Sequence, residues 1–449
     1  MLDIILEYER KKIIKTLINN SIIYKNNIEI KKLENNLSTM FVEIEKIIKS
    51  TSSLELIQNT IINNFLSKIN IIIKNTPGLT IGINDENTNN QIYLYYGKIS
   101  DKSNQKIDKN TLFDIASVTK IFTAIALLKE QEIGNIDLSK NINYYNSKYK
   151  NMDKSLEDIS KFYYQINISK KLENTNSKEE LKDILYNAYC VDENTFLYSD
   201  IPYIILGDIL NSINPYFIKT FQKELNMINT SYITKNKIIT GSNINSLNKI
   251  HDPKAQKMKE LGLTNMGHAG IYSTSEDLVK LGTSLLPKHN FLTQKSLITL
   301  TTPSHNEKQY LNRKTNELTN KNRAMAVYIQ TDKGIKECDM PYTSSRKSFA
   351  ISGTTGPYML VDPINNYTLN YLCNPYSQEN GKPIININNE DKNWNSATNI
   401  IKEELINLVY ELRYTTNVFE TLAKVYNKES TINEVNKILK TKKRKNLNI

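Results

Sequence analysis

The stretch FDIASVTKIFTAIALLKE, Phe113–Glu130, places a serine and a lysine three residues apart at the start of a long apolar run. The residues that follow Ser117 leave almost no polar face, which predicts a buried helix. Because three residues span just under one helical turn, the side chains of Ser117 and Lys120 lie on the same face within reach of one another. The sequence therefore predicts a lysine carried into the core beside a serine.

A buried lysine next to a serine suggests a nucleophile and its base. Burial disfavours the ammonium form and can lower a lysine pKa by roughly three to five pH units, and the positive end of the helix dipole acts in the same direction. A neutral Lys120 can accept the proton of Ser117, whose backbone N–H at the helix start can point at a developing oxyanion. The alternative is that Ser117 only caps the helix while Lys120 extends to solvent.

The spacing alone is weak support, because this lysine-rich chain repeats it elsewhere. Only the pair at 117 and 120 opens a strongly apolar helix. The other four occurrences are Ser103/Lys106, Ser147/Lys150, Ser246/Lys249 and Ser344/Lys347.

Composition is that of a folded globular protein. The chain has 449 residues, of which 39% are apolar and 23% charged, so a disordered or fibrous class is excluded and two or three domains are possible. The net charge of +11 comes mostly from scattered lysines, and only Lys440–Lys445 (KTKKRK) forms a dense basic block. This block either binds nucleic acid or lipid or is a solvated tail; the second is favoured, and no nucleic-acid partner is expected.

Targeting and metal signals are weak. Asp3 and Glu7 interrupt the N-terminus where a signal peptide needs a positive start and an apolar run, and Ile121–Leu128 is far too short to span a bilayer. Three widely spaced cysteines argue against a disulfide framework and fit a reducing cytoplasm, which is the expected location. With no CxxC and four histidines, neither a metal nor a cofactor is expected. The cysteines are Cys190, Cys338 and Cys373, the last of which is expected in the core.

The first 74 residues are rich in Ile, Leu, Lys and Glu and contain few helix breakers. Their apolar spacing predicts three amphipathic helices, Met1–Asn19, Glu29–Ser50 and Leu54–Lys74. A Pro-Gly pair then ends this region. We therefore expect an N-terminal helical extension over residues 1–74.

Strand patterns occur at both ends of the remaining chain. Near its start, LTIGIN and QIYLYYG form a hairpin pattern around the turn DENTNN, and near its end RAMAVYIQ, SFAIS, PYMLVD and YTLNYLC are separated by turn residues. The middle, about residues 141–240, is polar, helical and poor in strand patterns. Further helices are predicted at Ser275–Leu286, which begins with a serine cap and acidic residues, and at Ser396–Arg413.

This order predicts an α+β fold. The first hairpin is expected to join the late strands in one antiparallel β-sheet, flanked by helices, with an all-helical region inserted at about 141–240. The predicted division is a helical extension at 1–74, a main domain at 75–413 and a basic tail at 414–449.

Four segments in order carry a resemblance. They are TLFDIASVTK (Thr111–Lys120), FLYSDIPYIILGDIL (Phe196–Leu210), HDPKA with GHAGIYSTSEDLVKLG (from His251 and Gly267), and AISGTTGPYMLVDP (Ala350–Pro363). Together they resemble the motifs of the serine β-lactamase-related family, which contains class C β-lactamases, D,D-peptidases and related esterases. The resemblance covers about residues 77–413 and implies a β-lactamase/transpeptidase-like fold for the catalytic domain.

The resemblance implies roles for individual residues. Ser117 is the acylated nucleophile and Lys120 the base that activates it. Tyr198, of the second motif, shares the proton transfer and protonates the leaving group. Asp200 stands at the family's Asn position, where it can hydrogen-bond Lys120 or the substrate amide. A carboxylate there favours a charged lysine.

The third motif supplies the remaining roles. The backbone N–H groups of Ser117 and Thr354 are expected to form the oxyanion hole, with Ser352 and Gly353 at the substrate. The family normally begins this motif with Lys or His, whereas this chain has Ile351. A cation that helps hold a substrate carboxylate or tune the second-motif tyrosine is therefore absent.

Two functions follow. The first is a metal-independent serine hydrolase that acts through an acyl-enzyme on an amide or ester, such as a peptide, a D-amino peptide or an ester-like compound. The second is a catalytically weak or inactive relative that binds a peptide-like ligand, as the isoleucine suggests. The histidines at 251 and 268 are expected to pack or to stabilise loops.

Overall fold

The elements below come from a computed structural model. It describes residues 2–21, 23, 26–50, 53–191, 195–196, 198–234, 249–303, 309–312, 317–319, 323–331, 334–375, 394–426 and 444–448. The helices are α1 Leu2–Asn20, α2 Asn27–Ser50, α3 Leu54–Lys68, α4 Asn70–Asn75, α5 Thr119–Glu132, α6 Ile142–Tyr145, α7 Leu156–Ser160, α8 Lys178–Tyr186, α9 Ile201–Ile213, α10 Ile218–Glu224, α11 Pro253–Glu260, α12 Ser275–Ser284, α13 Gln294–Thr301, α14 Ile335–Cys338 and α15 Trp394–Tyr426. The strands are β1 Gly78–Asp85, β2 Asn90–Gly97, β3 Phe113–Asp114, β4 Gln165–Asn167, β5 Tyr189–Val191, β6 Thr195–Phe196, β7 Tyr272–Ser273, β8 Gln309–Asn312, β9 Glu317–Thr319, β10 Tyr328–Ile329, β11 Phe349–Ser352, β12 Tyr358–Asp362, β13 Tyr367–Cys373 and β14 Arg444–Asn448.

The described strands form a main sheet in the order β10-β11-β12-β13-β1-β2-β14. All neighbours in it are antiparallel except β14, which runs parallel to β2. The predicted hairpin is confirmed as β1 and β2, and β1 joins the late strands through β13, with Ile81 opposite Tyr371. The predicted α+β fold with one largely antiparallel sheet is therefore confirmed.

The strand predicted for RAMAVYIQ is wrong over most of its length. Only Tyr328–Ile329 is a strand, and the preceding residues bend back on themselves. The Ala324 N–H donates to the Val327 carbonyl at 3.0 Å, and Ala326 has a left-handed backbone at φ +64°. A turn of this kind is set by local backbone bonding, which the apolar pattern of the segment does not reveal.

Strand β1 shows how the sheet is covered on both faces. Because alternate residues of a strand point to opposite faces, Ile81 and Ile83 enter a core shared with the N-terminal helices, while Gly82 faces the other way. A Cβ at Gly82 would lie 2.6 Å from both the Ser275 Oγ and the Val279 Cγ2 of α12. The glycine lets α12 pack directly on the sheet.

The N-terminal helices form a layer with α15. Phe41 of α2 lies against Tyr414 of α15, with ring centroids 4.6 Å apart, and the Tyr414 hydroxyl donates to the Leu6 carbonyl of α1 at 3.1 Å. Helix α15 continues past Arg413, and Val418 is also buried. Residues 414–426 of the predicted basic tail therefore belong to this helix, because its apolar face continues into the layer.

The remaining expectations compare as follows. The region from about 141 to 240 is not all-helical: α6 to α10 are joined by long loops, and β4, β5 and β6 also lie there, the first two as a pair. Residues 235–248 lie outside the described residues. Helix α12 is capped by Thr274, whose Oγ1 accepts the Asp277 N–H, rather than by a serine.

The thiol of Cys373 is buried, as predicted. Of the basic block, residues 440–443 lie outside the described part of the chain, and its last two begin β14. The division at 74 and 413 stays a prediction.

No helix among the described residues is long and apolar enough to cross a membrane.

Candidate active site

Ser117 lies in a short 3-10 turn, Ala116–Val118, between β3 and α5. Ala116 has a left-handed backbone at φ +44°, and its N–H donates to the Asp114 carboxylate at 2.9 Å. The other oxygen of Asp114 accepts the His251 N–H at 2.8 Å. The buried carboxylate therefore ties the turn that carries the serine to the HDPKA segment.

The capping interpretation of Ser117 is wrong. Helix α5 starts at Thr119, its cap position is Val118, and no side chain caps it. The Ser117 Oγ instead accepts hydrogen bonds from the Lys120 Nζ at 3.0 Å and from the Tyr198 hydroxyl at 2.8 Å. A lysine extending to solvent is also wrong, since the Lys120 side chain is 0% exposed.

The Lys120 Nζ has three oxygen partners. Besides Ser117 Oγ it donates to Asp200 Oδ1 at 2.8 Å and to the His268 carbonyl at 3.0 Å. Two of these oxygens only accept, whereas the serine hydroxyl can turn and donate. The same positions therefore suit an ammonium group and a neutral amine that takes the serine proton.

The charge of Lys120 bears on two sequence-based expectations. Burial alone would lower the Lys120 pKa, but the charge and hydrogen bond of Asp200, together with Tyr198, outweigh it and raise the pKa above its usual value. The direction agrees with the expectation that a carboxylate at position 200 favours a charged lysine, and it opposes the expectation of a lysine kept neutral by burial.

Asp200 is shared by two lysines. Its second oxygen lies 3.1 Å from the Nζ of Lys254, at the start of α11. Burial alone would raise the pKa of Asp200, but these ammonium groups hold it well below its usual range. Sequence reasoning missed Lys254, although the HDPKA segment that contains it was among the matching motifs.

The histidine in the GHAG segment packs in the core, as predicted. His268 is buried, with Nδ1 3.1 Å from the Met266 carbonyl and Nε2 3.0 Å from Asp252 Oδ1. Burial alone would raise the pKa of Asp252, but the hydrogen bond to His268 lowers it to about 2. The His268 ring therefore fixes its own loop, and the His268 carbonyl of this loop accepts a hydrogen bond from Lys120.

The third motif ends beside the serine turn. A Cβ at Gly353 would lie 2.8 Å from the Ile115 carbonyl oxygen, and the Thr355 Oγ1 donates to the Asp114 carbonyl at 2.9 Å. Ile351 is buried within β11 and pairs with Met359 of β12. The strand end is therefore held against the serine turn, while the expected roles of the residues at 352, 353 and 354 and of the two backbone N–H groups stay predictions.

An arginine that no motif indicated also reaches the site. The Arg323 Cζ lies 4.1 Å from the ring centroid of Tyr198 and 3.7 Å from that of Tyr328. The Lys120 Nζ is 5.1 Å from the same Tyr198 centroid. Tyr198 is thus flanked by two cations, an arrangement that only the folded chain reveals.

The described residues contain no group of three or more His, Cys, Asp or Glu side chains able to hold a metal ion.

An antiparallel sheet covered by helices, with a serine and a lysine at the start of a buried helix and a tyrosine against the serine, defines the fold of the β-lactamase-type serine hydrolases. The Beta-lactamase family model matches residues 74–384, more than half of the chain. The chain belongs to this family, as its motifs indicated.

Solved structures agree on the fold. A β-lactamase/D-alanine carboxypeptidase from Yersinia pestis, complexed with citrate, is 16% identical with a TM-score of 0.57, covering 79% of this chain and 99% of that one. A class C β-lactamase from Rhodobacter sphaeroides is 15% identical with a TM-score of 0.53, covering 78% and 98%. SurE with D-Leu is 12% identical with a TM-score of 0.53, covering 71% of each chain. A search of curated protein sequences found no match.

Proposed function

We propose that this protein is a metal-independent serine hydrolase that forms and hydrolyses an acyl-enzyme on an amide or ester. The observation that carries the proposal is the contact of Ser117 Oγ with both Lys120 Nζ at 3.0 Å and Tyr198 Oη at 2.8 Å. Nucleophilic catalysis by serine requires a proton acceptor within this distance.

The proton passes from Ser117 to the Tyr198–Lys120 pair. As it leaves, the Ser117 Oγ bonds to the acyl carbon, and the proton is then given to the departing amine or alcohol as its bond to that carbon breaks. In the second half, a water molecule gives a proton to the pair and bonds to the acyl carbon. The bond between that carbon and Ser117 Oγ then breaks, the acid leaves, and the proton returns to the serine.

Asp200 determines which member of the Tyr198–Lys120 pair carries the positive charge. By keeping Lys120 as an ammonium group, it leaves Tyr198, in its phenolate form, as the member that accepts the serine proton. The ammonium then acts as a fixed positive charge next to the reacting oxygens. The N–H groups of Ser117 and Thr354 are proposed for the oxyanion.

The substrate class is a peptide, a D-amino peptide or an ester. Two structures of similar fold are described as a D-alanine carboxypeptidase and as holding D-Leu, which makes peptides with a D-residue the first to test. An aspartate in place of the family's asparagine accepts hydrogen bonds but does not donate them. Asp200 therefore suits a substrate N–H rather than a substrate carbonyl.

A second candidate is a weak or inactive relative that binds a peptide-like ligand in the same cleft. The buried Ile351, which replaces the usual cation of the third motif, favours this candidate. It predicts ligand binding that survives Ser117→Ala, without turnover of esters or D-amino peptides.

The deciding experiment is incubation with a fluorophosphonate probe followed by intact-mass and peptide-level mass spectrometry. Wild type is expected to gain one adduct on Ser117, and Ser117→Ala none. Ser103→Ala is the matched control, because Ser103 stands in the same spacing to a lysine and should label like wild type. Folded wild type that gains no adduct on Ser117 contradicts the hydrolase and leaves the ligand-binding candidate.

A further inference from the structure

We propose that Arg323 is a positioning residue for proton transfer, whose guanidinium on the face of Tyr198 supplies the positive charge that the third motif lacks at Ile351. This inference rests on the proposed function, and it concerns a residue outside every motif of the chain. We assign Arg323 a role through the tyrosine ring that it contacts.

The packing around Arg323 holds its charged group in place. The side chain is 5% exposed, and the guanidinium lies between the rings of Tyr198 and Tyr328, 4.1 Å and 3.7 Å from their centroids. A third ring, that of Phe162, is 5.8 Å away and also contacts Tyr198, with centroids 5.0 Å apart. A cation over an aromatic face is attracted to it, most strongly where water is excluded.

The sheet explains how this charge reaches the site. Arg323 forms a β-bridge with Tyr328, and Tyr328 pairs with Ala350 of β11, one residue before the isoleucine of the third motif. The arginine therefore enters from the segment next to β11, at the same end of the sheet. The positive charge that β11 lacks at Ile351 is thus supplied by Arg323 from the neighbouring segment.

The charge matters before the proton is transferred. Tyr198 can take the proton of Ser117 Oγ only as a phenolate, whose negative charge is lost when the proton arrives, and a fixed buried cation stabilises that phenolate. Lys120, 5.1 Å from the ring, adds to the effect. The Asp200 carboxylate is paired with Lys120, and burial raises the pKa of Tyr203 well above its usual value. Arg323 neither gives nor takes a proton.

The test compares Arg323→Met, which keeps apolar contact with the rings but removes the charge, with Arg323→Lys, which keeps a charge. The readout is the rate at which the fluorophosphonate probe labels Ser117 between pH 5 and 9. Arg323→Met is expected to label about tenfold more slowly near pH 7 and to reach its half-maximal rate at a higher pH, with partial recovery in Arg323→Lys. A wild-type rate and pH profile in folded Arg323→Met, or equal impairment in both variants, overturns the proposal.

A second readout separates this inference from the hydrolase proposal. The protein is made with 3-fluorotyrosine, and the fluorine resonance of Tyr198 is identified by its loss in Tyr198→Phe. That resonance is expected to titrate at a higher pH in Arg323→Met than in wild type, whether or not the probe reacts. An unchanged titration rejects the role of Arg323, whereas a shifted titration without labelling supports it and rejects the hydrolase.

Discussion

Replacing Asp200 by asparagine tests the charge of Lys120 without relying on activity. The substitution keeps the side-chain size and removes the carboxylate charge 2.8 Å from the Lys120 Nζ. In wild type, this carboxylate raises the Lys120 pKa despite burial, so the amine is charged in both the folded and the unfolded protein below about pH 10. Over that range the group adds no pH dependence to the free energy of unfolding.

In Asp200→Asn, the largest of the interactions that oppose burial is lost, and Lys120 is expected to be neutral in the folded protein. Holding neutral a lysine whose pKa in the unfolded chain is about 10.4 lowers the free energy of unfolding by about 1.36 kcal/mol for each pH unit below that value. This amounts to about 4.6 kcal/mol at pH 7 and about 1.2 kcal/mol at pH 9.5. The value at pH 7 agrees with the usual cost of about 3–5 kcal/mol for removing one partner of a buried ion pair. Because the unfolded variant binds the extra proton, the variant becomes more stable as pH rises.

The assay is urea unfolding of both proteins at pH 7 and pH 9.5, followed by circular dichroism. The difference in unfolding free energy between wild type and variant should narrow by about 3 kcal/mol between the two pH values. Asp3→Asn is the control, because Asp3 pairs with Lys49 on the surface and its removal should cost little at either pH. A difference of the same size at both pH values shows that Lys120 has one protonation state in both folded proteins and refutes the role of Asp200 in holding its charge.

Two further substitutions test the packing around the site and the layer opposite it. Gly353→Ala places a Cβ 2.8 Å from the Ile115 carbonyl oxygen, so the strand end must move away from the serine turn. Probe labelling should fall at least about tenfold, and thermal unfolding should show a free energy of unfolding lower by about 1–3 kcal/mol. Unchanged labelling contradicts this close packing. Arg413→Met breaks a buried pair in which the guanidinium donates to both oxygens of Asp85 at 2.6 and 3.0 Å. Urea unfolding should show a free energy of unfolding lower by about 3–5 kcal/mol, whereas the folded variant should label at the wild-type rate. Slower labelling would show that the layer of helices affects the site.

The aspartate and the arginine together bear on the altered third motif. Because position 351 is an isoleucine, positive charge reaches the site from other segments of the chain. Lys254 lies beside Asp200, and Arg323 lies over the ring of Tyr198. The loss of a motif residue is therefore not by itself a sign of lost activity. The labelling experiment decides between an active enzyme and a ligand-binding relative.

The amino-acid sequence by itself determined the features that depend on near neighbours. The spacing of Ser117 and Lys120 at the start of an apolar run predicted a buried lysine beside a serine, because helix geometry joins residues three apart, and left a capping serine as the alternative. Apolar strand patterns likewise predicted β1, β2 and three of the four late strands, since a sheet face must be buried. The motif order predicted the family and the meeting of Tyr198 with the serine.

Only the tertiary structure decided the electrostatics of the site. The charge of Lys120 depends on an aspartate 80 positions away, and the cations beside Asp200 and Tyr198 include Lys254 and Arg323, whose contacts no local pattern shows. The layer formed by the N-terminal helices and α15 was equally hidden, because each helix shows an apolar face without showing its partner. Charge and packing act between groups that are close in space, and the chain order does not record those distances.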